Sequence, residues 1–160
     1  MILTDKISEF LTYGDCIKSE YAIRKGLNNT PNADQIQNLM HLGKFIYDPL
    51  CEYFGRKIPI TSAFRSEKVN KGIGGASSSS QHVMGQAIDL DLDGSNRQIF
   101  DAIRTLKLPF DQLIWEFGTA DEPSWVHVSY SNRHRKKILK AVKIHNGKNM
   151  VTKYQNYLYV

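Results

Sequence analysis

The stretch SSSQHVMGQAIDLDLDG, residues 78–94, sets an imidazole, His82, seven residues before a carboxylate, Asp89, and adds Asp91 and Asp93 in alternation. Three chemistries use such groups. Asp89, Asp91, Asp93 and Gly94 open like a calcium loop, but the twelfth position, where a bidentate glutamate completes the oxygen shell, is Phe100. A serine nucleophile also fits poorly: no G-x-S-x-G elbow is present, and four consecutive serines in a Gly/Ser-rich loop are badly preorganised. The remaining chemistry is a catalytic transition metal, which takes three protein ligands and keeps one position open. With His82 and Asp89 as two ligands, His127 is the best third, because it interrupts an apolar strand between Val126 and Val128. His41 rides a core-type helix, and His134 and His145 lie in a basic C-terminal stretch.

The elements that must position these groups are readable from periodicity. AIDLDLD predicts a strand with Ile88, Leu90 and Leu92 on one face and Asp89, Asp91 and Asp93 on the other. WVHVSYS predicts another, with Trp125, His127 and Ser129 on one face. In DQLIWEFG, Ile114, Glu116 and Gly118 share the face opposite the bulky Leu113, Trp115 and Phe117. Between them, SNRQIFDAIRTLKL predicts an amphipathic helix capped by Ser95, with Ile99, Ile103 and Leu106 inward. Upstream, Ile36, Leu39, Met40, Phe45, Ile46, Leu50 and Phe54 follow helical spacing, predicting a long core helix bent at Pro49 and stopped by Gly55. A short helix from Ser19 to Lys25 ends at Gly26, a strand begins near Ile58, and VNKGIGGASSSSQH reads as a loop leading to His82. Asn146-Gly147 between apolar residues is a hairpin signal. Helices followed mostly by strands predict an α+β fold, a small antiparallel sheet packed against helices.

The 160 residues fit one domain with a basic tail from about 133, and 41% hydrophobic with 23% charged residues is the balance of a soluble globule. No apolar run reaches the roughly 18 residues of a membrane span. MILTDKISEF lacks a basic leader and an apolar core, so synthesis in the cytoplasm without a signal peptide is expected. Cys16 and Cys51 have no CxxC partner and read as reduced, packed thiols. The excess of Lys and Arg gives a net charge of +5, concentrated near the C-terminus; without an aromatic-studded motif it predicts a solvated face rather than a nucleic-acid site. A monomer is expected.

Ser80, His82, Gly85, Ala87 and Asp89 form S-x-H-x-x-G-x-A-x-D, and W-V-H-V-S follows from Trp125 to Ser129. Together they resemble the zinc D-Ala-D-Ala carboxypeptidase family of metallopeptidases, the M15 type. Ser62, Arg65, Ser66 and Asn70 are similar to the family's S-x-x-R-S-x-x-x-N segment, and the likeness runs from about Ser19 to Tyr130. Compact phage and prophage cell-wall lysins are the nearest in form. The resemblance implies a hedgehog/D-Ala-D-Ala peptidase-like fold, Zn2+ held by His82, Asp89 and His127, and Arg65 clamping a substrate carboxylate. Ser80 and Trp125 fall on the substrate side of that site. The implied substrate is a peptidoglycan stem peptide, cut by a carboxypeptidase or an endolysin-type peptidase in the bacterial cell wall or periplasm. One position departs: where relatives carry E/D-x-x-H, this chain has Ser124. The general base then falls to Glu116, as in hedgehog-type domains, or to the loop acids Asp121 and Glu122. The alternative is a zinc-stabilised wall-binding or phage-structural module without catalysis.

Overall fold

The computed structural model describes residues 1–73 and 79–157, so residues 74–78 of the Gly/Ser loop expected before His82 lie outside the described residues, while the start of that expected loop, residues 69–72, is helical. Short helices α1 (Tyr13–Ile17) and α2 (Glu20–Lys25) come first, the second capped by Ser19 and closed by Gly26 in the left-handed conformation. The long helical run begins at a reciprocal cap. Asn32 accepts from the Gln35 amide at 2.9 Å, while the Gln35 side chain accepts from the Asn32 amide at 2.8 Å.

From that cap the chain runs through α3 (Ala33–Leu42), a π-helical turn (Gly43–Tyr47) and α4 (Asp48–Phe54). The expected adjustment at Pro49 thus appears one turn earlier. Proline lacks an N–H and its ring crowds the carbonyl four residues back, and the wider π-turn just before it accommodates that clash. Helices α5 (Glu67–Gly72) and α6 (Asn96–Thr105) complete the set. Two apolar positions expected inside are exposed: Met40 and Leu106.

Among the described residues six strands form one sheet: β1 (Ile60–Ser62), β2 (Ala87–Leu90), β3 (Gln112–Glu116), β4 (Trp125–Ser129), β5 (Lys137–His145) and β6 (Met150–Asn156), ordered β1-β2-β4-β3-β5-β6. The expectation of a small, purely antiparallel sheet is corrected, because β3 and β5 pair in parallel. The cause lies at the start of both strands. Arg135 donates to the buried Asp111 carboxylate through Nε at 3.0 Å and Nη2 at 2.5 Å, and the Lys137 amide donates to the Asp111 carbonyl at 3.0 Å. This clamp makes β5 begin beside the beginning of β3, so the two run the same way. The basic C-terminal stretch is therefore sheet, turning at Asn146-Gly147 as the hairpin signal predicts.

The hydrophobic core lies between the helices and one sheet face. Leu39, Leu42, Ile46 and Leu50 of the long helical run and Ile99, Phe100 and Ile103 of α6 meet Ile88, Leu90, Leu113, Trp115, Val126 and Val128. Burial of each such side chain stabilises the fold by about 1.5–3 kcal/mol. Cys16 and Cys51 are free and buried, and burial pushes the Cys16 thiol up to about 12, so both are packing groups. With the apolar side chains committed to that face, the polar members of the same strands are left on the other.

Candidate metal centre

Strand register assembles the site. Asp89 on β2 pairs directly with His127 on β4, and Glu116 on β3 pairs with Trp125, two residues from His127. Paired residues share a sheet face, as do residues two apart, so Asp89, His127 and Glu116 point the same way. His82 enters from the turn at 81–85, which α3 holds through Gln35 Nε2 to the Val83 carbonyl, 2.9 Å, and Asn38 Nδ2 to the Met84 carbonyl, 2.8 Å. Gly85 closes this turn at φ +69°, where a Cβ would meet the Gln35 carbonyl oxygen at 2.5 Å. That explains the glycine three residues after the histidine.

Three donor atoms converge. His127 Nδ1 lies 2.9 Å from Asp89 Oδ1, His82 Nε2 lies 3.3 Å from the same oxygen, and the two nitrogens are 3.2 Å apart. A tetrahedral ion bound at about 2.0–2.1 Å sets its ligands about 3.3 Å apart, so the spacing fits such an ion. His82 Nδ1 is 2.6 Å from the Ala63 carbonyl, which assigns the ring proton to Nδ1 and turns the lone pair of Nε2 toward the carboxylate. A lone pair facing an anionic oxygen at this distance, both buried, requires a cation or a proton between them. His82, Asp89 and His127 can hold a metal ion.

The electrostatics agree. Burial pushes His82 below its usual pKa, favouring the neutral imidazole that ligates metals. Burial opposes ionisation of Asp89, yet the charges and hydrogen bonds of His82 and His127 hold its carboxyl well below the usual carboxylate range. Glu116, 6% exposed, is raised to about 7, chiefly by burial. Without a metal, the site thus holds an ionised carboxylate, Asp89, and beside it a carboxyl, Glu116, raised toward neutrality.

Arg65 is engaged on the protein side of the site. Its Nη2 donates to Asp89 Oδ2 at 3.0 Å and its Nε to Ser62 Oγ at 2.9 Å. A bulge in β1 between Ile60 and Ser62 brings Ser62 opposite Asp89. Asn29, which the sequence does not single out, pins both neighbours of Arg65: it donates to the Phe64 carbonyl at 3.2 Å and accepts from the Ser66 amide at 2.7 Å.

The loop acids separate from Glu116. Asp121 is exposed and lies 3.8 Å from Arg97. Glu122 instead caps α6, accepting from the Asn96 and Arg97 amides, the latter at 3.1 Å. This corrects the expectation that Ser95 is the cap, since its side chain makes no capping bond. Asn96, also missed, ties the loop after β2 to the entry of β4. It donates to Asp91 Oδ1 at 2.9 Å and to the Ser124 carbonyl at 3.0 Å.

Ser80 is partly buried at the start of the His82 turn, where its carbonyl accepts from the Val83 amide at 3.1 Å. Trp125 is half-buried with its ring edge-on to Phe117, centroids 5.3 Å apart. His41 and His134 both pack on Tyr130 and do not join the group of His82, Asp89 and His127.

Two imidazoles and a carboxylate converge over one buried sheet face that also bears a glutamate, an arrangement that fits metal-dependent hydrolases as a class. Residues 9–129 match the family described as Peptidase M15, and the chain belongs to that family of metallopeptidases. The matched stretch ends at the last residue of β4, leaving the β5–β6 hairpin beyond it. No curated protein sequence matches the chain. No helix among the described residues is long and apolar enough to cross a membrane.

Proposed function

We propose that this protein is a zinc-dependent peptidase that hydrolyses a D-amino-acid-containing bond in peptidoglycan stem peptides, acting as a monomer in the bacterial cell wall or periplasm. The observation that carries the reading is the convergence of His82, Asp89 and His127 at tetrahedral spacing on the face that also bears Glu116. Zinc, when bound, supplies Lewis acidity for activating water and polarising the scissile carbonyl.

The chain's own groups do the rest. Glu116, on the same sheet face as Asp89 and His127, takes a proton from the attacking water and returns it to the leaving amine. Glu122 is committed to capping α6 and Asp121 to solvent, which favours Glu116 as the base. Arg65 has five N–H donors, of which its bonds to Ser62 and Asp89 use two; its planar fork reads the substrate's terminal carboxylate. Trp125 lines the cleft as an apolar wall, and Ser80 orients the peptide near the His82 turn.

Mass spectrometry of defined muropeptides after incubation with zinc-loaded protein is the test. The expected result is loss of a terminal D-amino acid or scission within the stem, abolished by chelation. Intact muropeptides in every condition would overturn the reading and leave a zinc-stabilised binding module.

A further inference from the structure

The β5–β6 hairpin continues the site face past Glu116. In register, Glu116 pairs with Ala141 and Ala141 with Tyr154, so the three side chains form a row on the side that carries Asp89 and His127. Two strand spacings separate Glu116 from Tyr154, about 10 Å between Cα atoms. Ala141, the middle residue, has no exposed surface, while Tyr154 is 51% exposed. The small side chain is therefore a covered floor, and the phenol stands beside it at the rim.

Lys143 lies on the same face, two residues along β5 from Ala141. Its ammonium donates to Thr152 Oγ1 at 2.9 Å and sits 5.0 Å over the Phe117 ring, which steers an exposed, flexible side chain toward the end of β3. Both groups are in electrical contact with the centre. After burial, the charges of Glu116 and Asp89 raise the Tyr154 phenol, and Lys143 is among the cations that pull Glu116 down.

Arg65 and Asp89 lie at the β1–β2 end of this face, with His127 and Glu116 between them and the hairpin. If Arg65 takes the C-terminal carboxylate, the chain on the acyl side of the scissile bond leads toward β5 and β6. Ten ångströms is about three residues of extended peptide. A half-exposed tyrosine and a tethered ammonium there suit a backbone amide and an anionic group on that stretch.

We propose that the hairpin is the acyl-side substrate subsite: Tyr154 hydrogen-bonds the peptide and Lys143 pairs with a carboxylate two to three residues upstream of the scissile bond. This rests on the peptidase reading for the direction of the chain, but its test separates the two. The probes are L-Ala-γ-D-Glu-L-Lys-D-Ala and its isoglutamine analogue, which replaces the free carboxylate by an amide, titrated calorimetrically into zinc-loaded protein.

Wild-type protein should bind the carboxylate peptide about 10-fold more tightly than the amide. Lys143→Met should erase that preference, Lys143→Arg should restore it, and Tyr154→Phe should weaken both peptides equally. All variants should keep one zinc and the wild-type melting temperature, as expected of exposed side chains. Equal affinity of wild type for the two peptides, no binding of either, or unchanged constants in Lys143→Met and Tyr154→Phe would overturn the proposal. Retained discrimination without hydrolysis of any muropeptide would keep the subsite and remove the peptidase reading. Hydrolysis with unaltered KM in both variants would do the reverse.

Discussion

Arg65 and His127 engage the Asp89 carboxylate from opposite sides: Nη2 of Arg65 donates to Oδ2 at 3.0 Å, while Oδ1 faces His127 Nδ1 at 2.9 Å. One oxygen is thereby held by the protein and the other is presented to the metal position. Because Nε of the same guanidinium is fixed by Ser62, the carboxylate plane has little freedom to rotate.

Arg65→Lys should therefore act on the metal as well as on substrate. A point charge cannot hold Ser62 and Asp89 together, and loss of such an orienting partner typically weakens metal binding about 10–100-fold. Competition with a fluorescent zinc chelator reads this directly. Unchanged zinc affinity, with a loss confined to peptides bearing a free C-terminus, would assign Arg65 to substrate alone.

Glu116→Gln should keep zinc and fold but lower kcat by a factor of about 100 or more, as expected for removal of general acid-base catalysis. Glu122→Ala should behave in the opposite way, sparing kcat but costing about 1 kcal/mol of stability, because it uncaps α6. Steady-state kinetics and urea melts on the two variants decide the matter. A kcat loss in Glu122→Ala with none in Glu116→Gln would move the base to the loop.

The metal-free protein should also show Glu116 in its pH dependence. Its carboxyl is raised from 4.5 to about 7, so between those values the native state keeps a proton that the unfolded chain has released. Stability from this group is greatest below about pH 4.5 and falls as pH rises toward 7, by about 3 kcal/mol over the window. Glu116→Gln removes the penalty, so with chelator present its advantage over wild type should widen from pH 4.5 to 7.5. Shifts at His82 and Asp89, common to both proteins, largely cancel in that difference. A constant gap would mean that Glu116 titrates normally.

The clamp at the start of β5 gives a further prediction. Asp111 is fully buried and accepts from Arg135 and from Gln81 Nε2 at 2.9 Å, the residue next to His82. Arg135→Ala removes the charged partner of a buried carboxylate that keeps Gln81 and the backbone amide of residue 135, and should destabilise the fold by about 1.5–3 kcal/mol. Urea denaturation checks it, and a loss under 1 kcal/mol would show that the pair does not hold the hairpin.

The convergence of His82, Asp89 and His127 was legible in the sequence because alternation assigns Asp89 and His127 to strand faces and the glycine spacing marks a turn at His82. Glu116 was legible for the same reason, its face being opposite Leu113 and Trp115. The pairing of Asp89 with His127 was not, because register is set by which strands meet. Nor was the capping role of Glu122, which depends on a contact across 25 residues. The parallel β3–β5 pair escaped because nothing local in the connection 130–136 says which edge of the sheet the hairpin joins. That choice rests on Arg135 meeting Asp111, 24 residues away.

Metal content of purified wild-type, His82→Ala and His127→Ala proteins tests the central claim most directly. The account predicts one zinc per wild-type chain, bound through two imidazole nitrogens and one carboxylate oxygen at about 2.0–2.2 Å by X-ray absorption, and less than stoichiometric zinc in each variant. Stoichiometric zinc retained in both histidine variants would contradict it.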